Sequence, residues 1–251
     1  MLEMLHFLGG LGLLMRDVVK ELFTGRFYWK LLVEQIYQIG MRSMPLILIT
    51  AISIGMVMSL QFGLGLEKFG GKLYIPKLLA VTILREMGPV FTSLMLAARV
   101  SAGIASEIGS MVVTQQIDAI RALGTSPIRK IVIPRVLACL ITLPILVSFA
   151  NVVGNLGGLI VGAVELNLDP QFYLLKVLTT SSIQDYLSGF GKTFFFSIFI
   201  SVPACYFGLT VKNGTKEVGI ATTKAVVVSS IMIVVGDFFL SKLFWIVEKM
   251  I

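Results

Sequence analysis

The stretch from Ile131 to Val164 is an apolar run of 34 residues. At ~1.5 Å of rise per residue, about 20 residues cross a ~30 Å hydrocarbon core. The run is therefore too long for one upright span and too short for two spans joined by a loop. It reads as one long, bent helix containing Pro134 and Pro144, with a broken or re-entrant form as the alternative. Four more apolar stretches, over 44–66, 76–106, 188–211 and 225–247, are each long enough to cross a membrane. Hydrophobic residues make up 56% of the chain and charged residues only 14%, against about 25% charged in an ordinary soluble domain. A mean hydropathy of +0.92 is more apolar surface than one globular core could bury. The fold class that follows is an all-α polytopic membrane protein with five transmembrane helices, the third long and bent.

The segments between the spans set the rest. Residues 1–30 mix apolar positions (Leu5, Leu8, Met15, Val19, Leu22) with Arg16, Asp17, Lys20 and Glu21 lying off that face. Arg26, Phe27, Tyr28, Trp29 and Lys30 follow. Basic and aromatic residues beside an apolar face predict a helix lying in the membrane interface, the alternative being a cytoplasmic helix packed on the protein. Span two is over-long, with a kink expected at Gly88-Pro89, and it runs into a polar helix over 107–123. Residues 165–187 read as an external loop with a short interfacial helix, and Lys212, Asn213, Gly214, Lys216, Glu217 and Lys224 as a short polar loop. With the N-terminus cytoplasmic, twelve Lys and Arg residues lie inside and six outside, which places the 107–135 segment inside and the C-terminus outside. The net charge of +7 thus serves orientation and anionic headgroups rather than nucleic acid.

Several chemistries are absent from the sequence. There is no G-x-x-x-x-G-K-[ST] phosphate loop, so the chain has no cradle for ATP. No nucleophile elbow or H-E-x-x-H motif is present, and His6, the single histidine, cannot build a histidine metal cluster, so no metal site and no enzyme activity are expected. Cys139 and Cys205 lie inside apolar runs and read as small buried hydrophobes. The first residues, with Glu3 and His6, lack a basic n-region and an A-x-A-like cleavage site.

Small residues recur every fourth position in two rows, Ala97, Ser101, Ala105, Gly109 and Ala98, Ala102, Ser106, Ser110. Span three carries Gly154, Gly158 and Gly162, with Asn151 and Asn155 one turn apart. Such rows let helices approach closely in lipid, within a bundle or between subunits. Charges within spans usually face a cavity or a partner. Arg85 and Glu86 read equally as a polar spot in a cavity, where Arg85 meets an anionic headgroup, and as an Arg–Glu network pinning helices. Arg99 is expected to snorkel or pair near the cytoplasmic side, Asp237 to act in packing rather than carry protons, and Lys192 to snorkel to the outer interface.

The run Leu84-Arg85-Glu86-Met87-Gly88-Pro89, then Ala98-Arg99 through Ser106-Glu107-Ile108-Gly109, then Met111, Thr114-Gln115-Gln116-Ile117-Asp118-Ala119 and Leu123-Gly124-Thr125-Ser126-Pro127, strongly resembles the MlaE/YrbE family. These are permease subunits of ABC transporters that work with MCE-domain proteins. The resemblance extends over nearly the whole chain, through Pro134-Arg135, the glycine-rich third span and Gly219 to Val227.

That resemblance implies one permease domain over residues 1–251, homodimeric in a bacterial inner membrane, with the 107–123 segment as the coupling helix. A cytoplasmic MlaF-like ABC ATPase would carry the ATP and Mg, leaving no cofactor on this chain. An MlaD-like hexamer of MCE-domain subunits and a small MlaB-like STAS-domain protein, bound through the ATPase, complete the expected assembly. The substrate would be glycerophospholipid, moved between inner and outer membranes to maintain outer-membrane asymmetry. Arg85 and Glu86 match the polar pair associated with the lipid cavity; Gln61, Leu78 and Phe91 are further candidates for its wall, and spans one, two and five also offer Met56, Met58, Leu60, Phe62 and Leu79. Glu107, Met111, Thr114, Gln116, Asp118 and Arg121 match the segment facing the ATPase. Competing readings are an ion-coupled secondary transporter, against which the lack of an internal inverted repeat argues, and a non-transporting scaffold.

Overall fold

The computed structural model describes residues 2–23, 28–212 and 214–250. Arg26, Phe27 and Asn213, and the side chains of Glu3, Leu5 and His6, lie outside the described residues. Among the described residues all regular structure is helical: α1 (Leu2–Leu22), α2 (Trp29–Ile36), α3 (Met44–Glu67), α4 (Ile75–Thr82), α5 (Gly88–Leu96), α6 (Ala102–Val113), α7 (Gln116–Ala122), α8 (Ile133–Val164), α9 (Pro170–Thr180), α10 (Ile183–Leu209) and α11 (Gly214–Met250). Helices satisfy every backbone group internally, which is what hydrocarbon demands of an open chain. Among the described residues five helical stretches are long and apolar enough to span a membrane: Trp29–Glu67, Lys72–Val113, Ile128–Val164, Ile183–Leu209 and Gly214–Lys249. The protein is an all-α, multi-pass membrane protein.

Four π-helical turns, at Tyr37–Met41, Ile83–Met87, Ala97–Ser101 and Ile128–Val132, interrupt the α-helical runs. The Ile83–Met87 turn lies immediately before Gly88-Pro89, the site of the expected kink. Pro89 has no N–H for the carbonyl of Arg85, four residues back, so the ladder widens just before it, and the N–H of Gly88 donates to the carbonyl of Ile83 instead. The third apolar run is one continuous helix, α8, with Pro144 inside it, which sets aside the re-entrant form.

Two boundaries differ from the sequence reading. Helix α11 begins at Gly214, not near 225, so most of the polar stretch assigned to a loop is helical. Gly214 itself sits at φ +77°, a turn position suited to glycine, and the Thr-Lys-Glu-Val that follows holds no breaker. The polar helix expected over 107–123 is divided. Helix α6 runs on to Val113, Gln115 adopts a left-handed conformation with φ 59°, and α7 starts afresh at Gln116.

The described residues group into two compact units. The first comprises Met1–Ser43, Leu96–Thr142 and Phe195–Val235. In it, Leu11, Leu14 and Val18 of α1 are buried, while Leu8 and Val19, on the apolar face read from sequence as lying in the membrane interface, are exposed. Phe7 stacks on Phe207 and meets Tyr206 edge-on. Ala97, Ser101, Ala105 and Gly109 form the buried small-residue row, and the Ser101 hydroxyl shares hydrogen bonds with Ser229 Oγ and the Ile200 carbonyl. The parallel row, Ala98 to Ser110, is half-buried or exposed. Cys139 and Cys205 are buried, free thiols.

The second unit comprises Met44–Met95, Leu143–Phe194 and Gly236–Ile251. Its core gathers Ile75, Leu79, Ile83, Leu166, Leu168 and Tyr173. Leu79, assigned from sequence to a cavity wall, is fully buried here. Helix α9 is capped by Asp169, whose carboxylate accepts from the Phe172 N–H, with Pro170 at the first helical position. Burial holds the Tyr173 phenol of α9 above its ordinary pKa range.

Candidate functional site

Helix α3 crosses α8 with almost no side chain between them. A Cβ on Gly55 would run into the Gly154 carbonyl, and one on Gly157 into the Ile52 carbonyl. The Ser59 hydroxyl donates to the Gly158 carbonyl at 3.0 Å. Gly158 and Gly162 leave room for Leu79 and the Tyr173 ring. Gly88 makes room in the same way for the Asn151 side chain, and Gly189 for the Leu84 carbonyl. These approaches bring the Ile83–Met87 π turn, α10 and the end of α11 together around a set of charges.

Lys192 of α10 is at the centre of that set and has no solvent exposure. Its Nζ lies 2.6 Å from Glu86 Oε2, 3.0 Å from Asp237 Oδ1, 2.7 Å from Ser241 Oγ and 3.1 Å from the Arg85 carbonyl oxygen. An ammonium has three protons for these four acceptors; the Ser241 hydroxyl in turn lies 3.2 Å from Glu86 Oε1. Arg85 points the other way, to Asp185 Oδ1 at 3.1 Å and Glu248 Oε2 at 2.7 Å. The Asp185 carboxylate also accepts from the Ser182 hydroxyl at 2.7 Å. Two cations thus sit among four carboxylates on three helical segments, the Ile83–Met87 turn, α10 and α11. Each charge is expensive alone in lipid, and pairing lowers that cost.

This arrangement corrects one expectation: Lys192 does not snorkel outward, because Glu86 and Asp237 offer it a nearer set of acceptors than any interface. Arg85 and Glu86 act in a helix-pinning network. Asp237 is hydrogen-bonded within it. Lys192, Asp185, Ser241 and Glu248 were not singled out for this site, although a lysine within an apolar run requires an acid, and Glu86 and Asp237 were the unpaired acids at membrane depth.

Two cavities adjoin the network in the second unit. The smaller, a narrow crevice, is lined by Thr50, Ile54, Ile83, Met87, Gly88 and Phe91 among others. The larger, about 1090 Å³, is apolar, with walls from Leu84, Val152, Leu156, Leu174, Leu178 and Ile183, and with Tyr186 and Ser182 flanking Asp185. Tyr186 Oη and Ser148 Oγ are 2.7 Å apart at its edge. Of the residues proposed for a lipid cavity, Phe91 lines the smaller one; Gln61 and Leu78 are exposed and line neither.

In the first unit, Thr114, Gln116, Asp118 and Arg121 are exposed around α7, while Ile117 is buried and anchors it. Asp118 pairs with Arg121 at 3.1 Å. Leu123, at 80% exposed, stands out beside them. Met111 is half-buried on α6. Glu107 differs: its carboxylate is held at 2.8 Å by Arg135, whose side chain is only 5% exposed and also donates to the Ile131 carbonyl. Glu107 therefore fastens α6 to the start of α8. On α1, Glu21 accepts from the Ser126 hydroxyl at 2.7 Å, tying that helix to the loop after α7.

Residues 32–243 match the family model described as Permease MlaE. The chain is 37% identical over 237 residues to a Rickettsia conorii protein named Probable ABC transporter permease protein, covering 94% of this chain and 92% of that one. A Synechocystis protein with the same description is 36% identical, over 90% of this chain and 86% of its own. The chloroplast protein TRIGALACTOSYLDIACYLGLYCEROL 1 of Arabidopsis thaliana is 31% identical, over 91% of this chain and 65% of its own.

Proposed function

From the premise that this chain belongs to the permease MlaE family and is an ABC transporter permease subunit, we propose that its cargo is glycerophospholipid, moved between inner and outer membranes to maintain outer-membrane asymmetry. The observation that carries this reading is the apolar cavity walled by Leu84, Val152, Leu156, Leu174 and Ile183, with Ser182 at its edge donating to the Asp185 carboxylate. A phospholipid needs a wide apolar wall for its chains and polar groups at one end; this cavity offers the wall, with Ser148, Asn151, Asn155, Ser182 and Tyr186 as its polar groups. The diacylglycerol in the printed name of the Arabidopsis relative supports a two-chain glycerolipid as cargo.

Membership in an ABC transporter implies a separate ATPase. In this reading the ATPase is cytoplasmic and carries ATP and Mg, and it docks on α7 and the exposed Thr114, Gln116, Asp118, Arg121 and Leu123. The permease works as a homodimer in a bacterial inner membrane, N-terminus inside and C-terminus outside, beneath a hexamer of MCE-domain subunits. A small STAS-domain protein joins through the ATPase. The ion-driven alternative would use Asp237 as proton carrier; its engagement by Lys192 at 3.0 Å favours a packing role.

The test is mass spectrometry of what co-purifies with the tagged full chain from its own host in mild detergent. The expected result is an ATPase, an MCE-domain protein and bound phospholipid. A chain that emerges with an ATPase but without lipid or MCE protein overturns the cargo assignment.

A further inference from the structure

The first unit holds a polar cleft that includes no residue of the Lys192 network. Gln35, Gln38, Arg42, Arg99, Gly103 and Glu107 line it. Two of the four π turns border it: Ile39 belongs to Tyr37–Met41, and Arg99 to Ala97–Ser101. Wide turns of this kind occur often where a helix presents groups to a ligand.

The charges in this cleft do not balance. Glu107, its one acid, is already held by Arg135 at 2.8 Å. Arg99 donates through Nη1 to Ser43 Oγ at 2.7 Å, a neutral partner. Among the described residues neither Arg99 nor Arg42 pairs with a carboxylate. Two guanidinium groups therefore border one opening at the edge of an apolar span, where an unpaired charge calls for a counter-anion. Ser43, the partner of Arg99, immediately precedes α3, which begins at Met44, so Arg42 and Arg99 both stand beside the start of that apolar helix.

We propose that this cleft binds the phosphate of a glycerophospholipid from the surrounding leaflet, with Arg42 and Arg99 as charge partners and Gln35 and Gln38 as hydrogen-bond donors. Guanidinium forks match phosphate oxygens two at a time, and basic pockets between spans hold lipid headgroups. Ile39, Val100 and Ile104 give the same cleft an apolar side, which suits a lipid over free phosphate. The proposal rests on the multi-pass membrane fold and is independent of which lipid is transported and in which direction.

Native mass spectrometry of the purified full chain in detergent tests it, titrated in one arm with phosphatidylglycerol and in the other with inorganic phosphate. The wild-type chain should hold one phosphatidylglycerol that survives activation, and Arg42→Gln should weaken it by roughly tenfold or more, the loss of one charge-assisted pairing. Arg99→Gln should act alike but also removes the Ser43 bond. Gly103→Phe separates binding from folding, because Gly103 lines the cleft and a Cβ placed there meets no atom within 4 Å. It should lose the lipid at an unchanged melting temperature. Equal lipid retention in wild type, Arg42→Gln and Gly103→Phe overturns the site, and retention of inorganic phosphate without lipid overturns the lipid assignment.

Discussion

The Lys192 ammonium lies 3.1 Å from the Arg85 carbonyl oxygen, the acceptor for which Pro89 has no N–H. The proline widens the helix into a π turn and turns a backbone acceptor toward a buried lysine. A helix interruption and a charge site are here one feature. The prolines and charges of this chain, which look like separate oddities in a list, specify one another.

Lys192→Met should destabilise the protein by about 3–5 kcal/mol, since it leaves Glu86 and Asp237 without their cation. Thermal unfolding in detergent measures this. Combining it with Glu86→Gln and Asp237→Asn should recover most of the loss, and a triple variant no better than the single one would show that the lysine acts through shape rather than charge.

The two glycines where α3 meets α8 should respond oppositely to alanine. Gly55→Ala drives a methyl into the Gly154 carbonyl and should cost roughly 1–3 kcal/mol or more, with poor accumulation in the membrane. Gly154→Ala meets only the Ala51 carbonyl and Ile83 Cδ1, both at 3.4 Å, and should be neutral or gain up to ~1 kcal/mol from helix propensity. Melting temperatures of the two variants decide it.

Glu107 and Arg135 should be energetically coupled. A double-mutant cycle with Glu107→Gln and Arg135→Gln should give an interaction energy of about 0.5–3 kcal/mol, toward the lower end because the Glu107 side chain is 45% exposed. A value near zero would return Glu107 to the surface that faces the ATPase.

Asp118→Lys should leave stability within about 0.5 kcal/mol, because its pair with Arg121 is exposed. If α7 docks on the ATPase, the same change should lower substrate-stimulated ATP hydrolysis by roughly tenfold, the equivalent of ~1.4 kcal/mol at the interface. Co-purification yields and ATPase rates on the assembled complex report the two effects separately.

The membrane class and the five apolar stretches were legible because hydrocarbon leaves the chain little choice: long apolar runs become helices. Helix ends were less legible where water is the alternative. The Gly214–Lys224 stretch is polar enough for a loop and free enough of breakers for a helix, and composition does not separate the two. The division of the polar segment at Gln115 rests on a left-handed residue that is not glycine, so no turn residue announced it. At the charge network, Arg85 and Glu86 stood out from the sequence, but their partners come from positions 100 or more residues away. Only the packing of the Ile83–Met87 turn against α10 and α11 brings these partners close. Lys192 was misread because a lysine near a helix start has a cheaper exit than burial unless acids are waiting for it.

Each π turn holds one residue more than an α-helix of the same height. Deleting a residue from Ile83–Met87 would therefore not break the helix; it would relax it to an ordinary α-helical turn. Everything on one side of the deletion would then swing by about 100° around the axis relative to the other, carrying Arg85 or Glu86 out of reach of its partners. Such a chain would keep its spans and hydropathy profile, and would lose its internal register. A one-residue gap here is a change of facing rather than of length, and an alignment that places such a gap in the nearest loop would hide it.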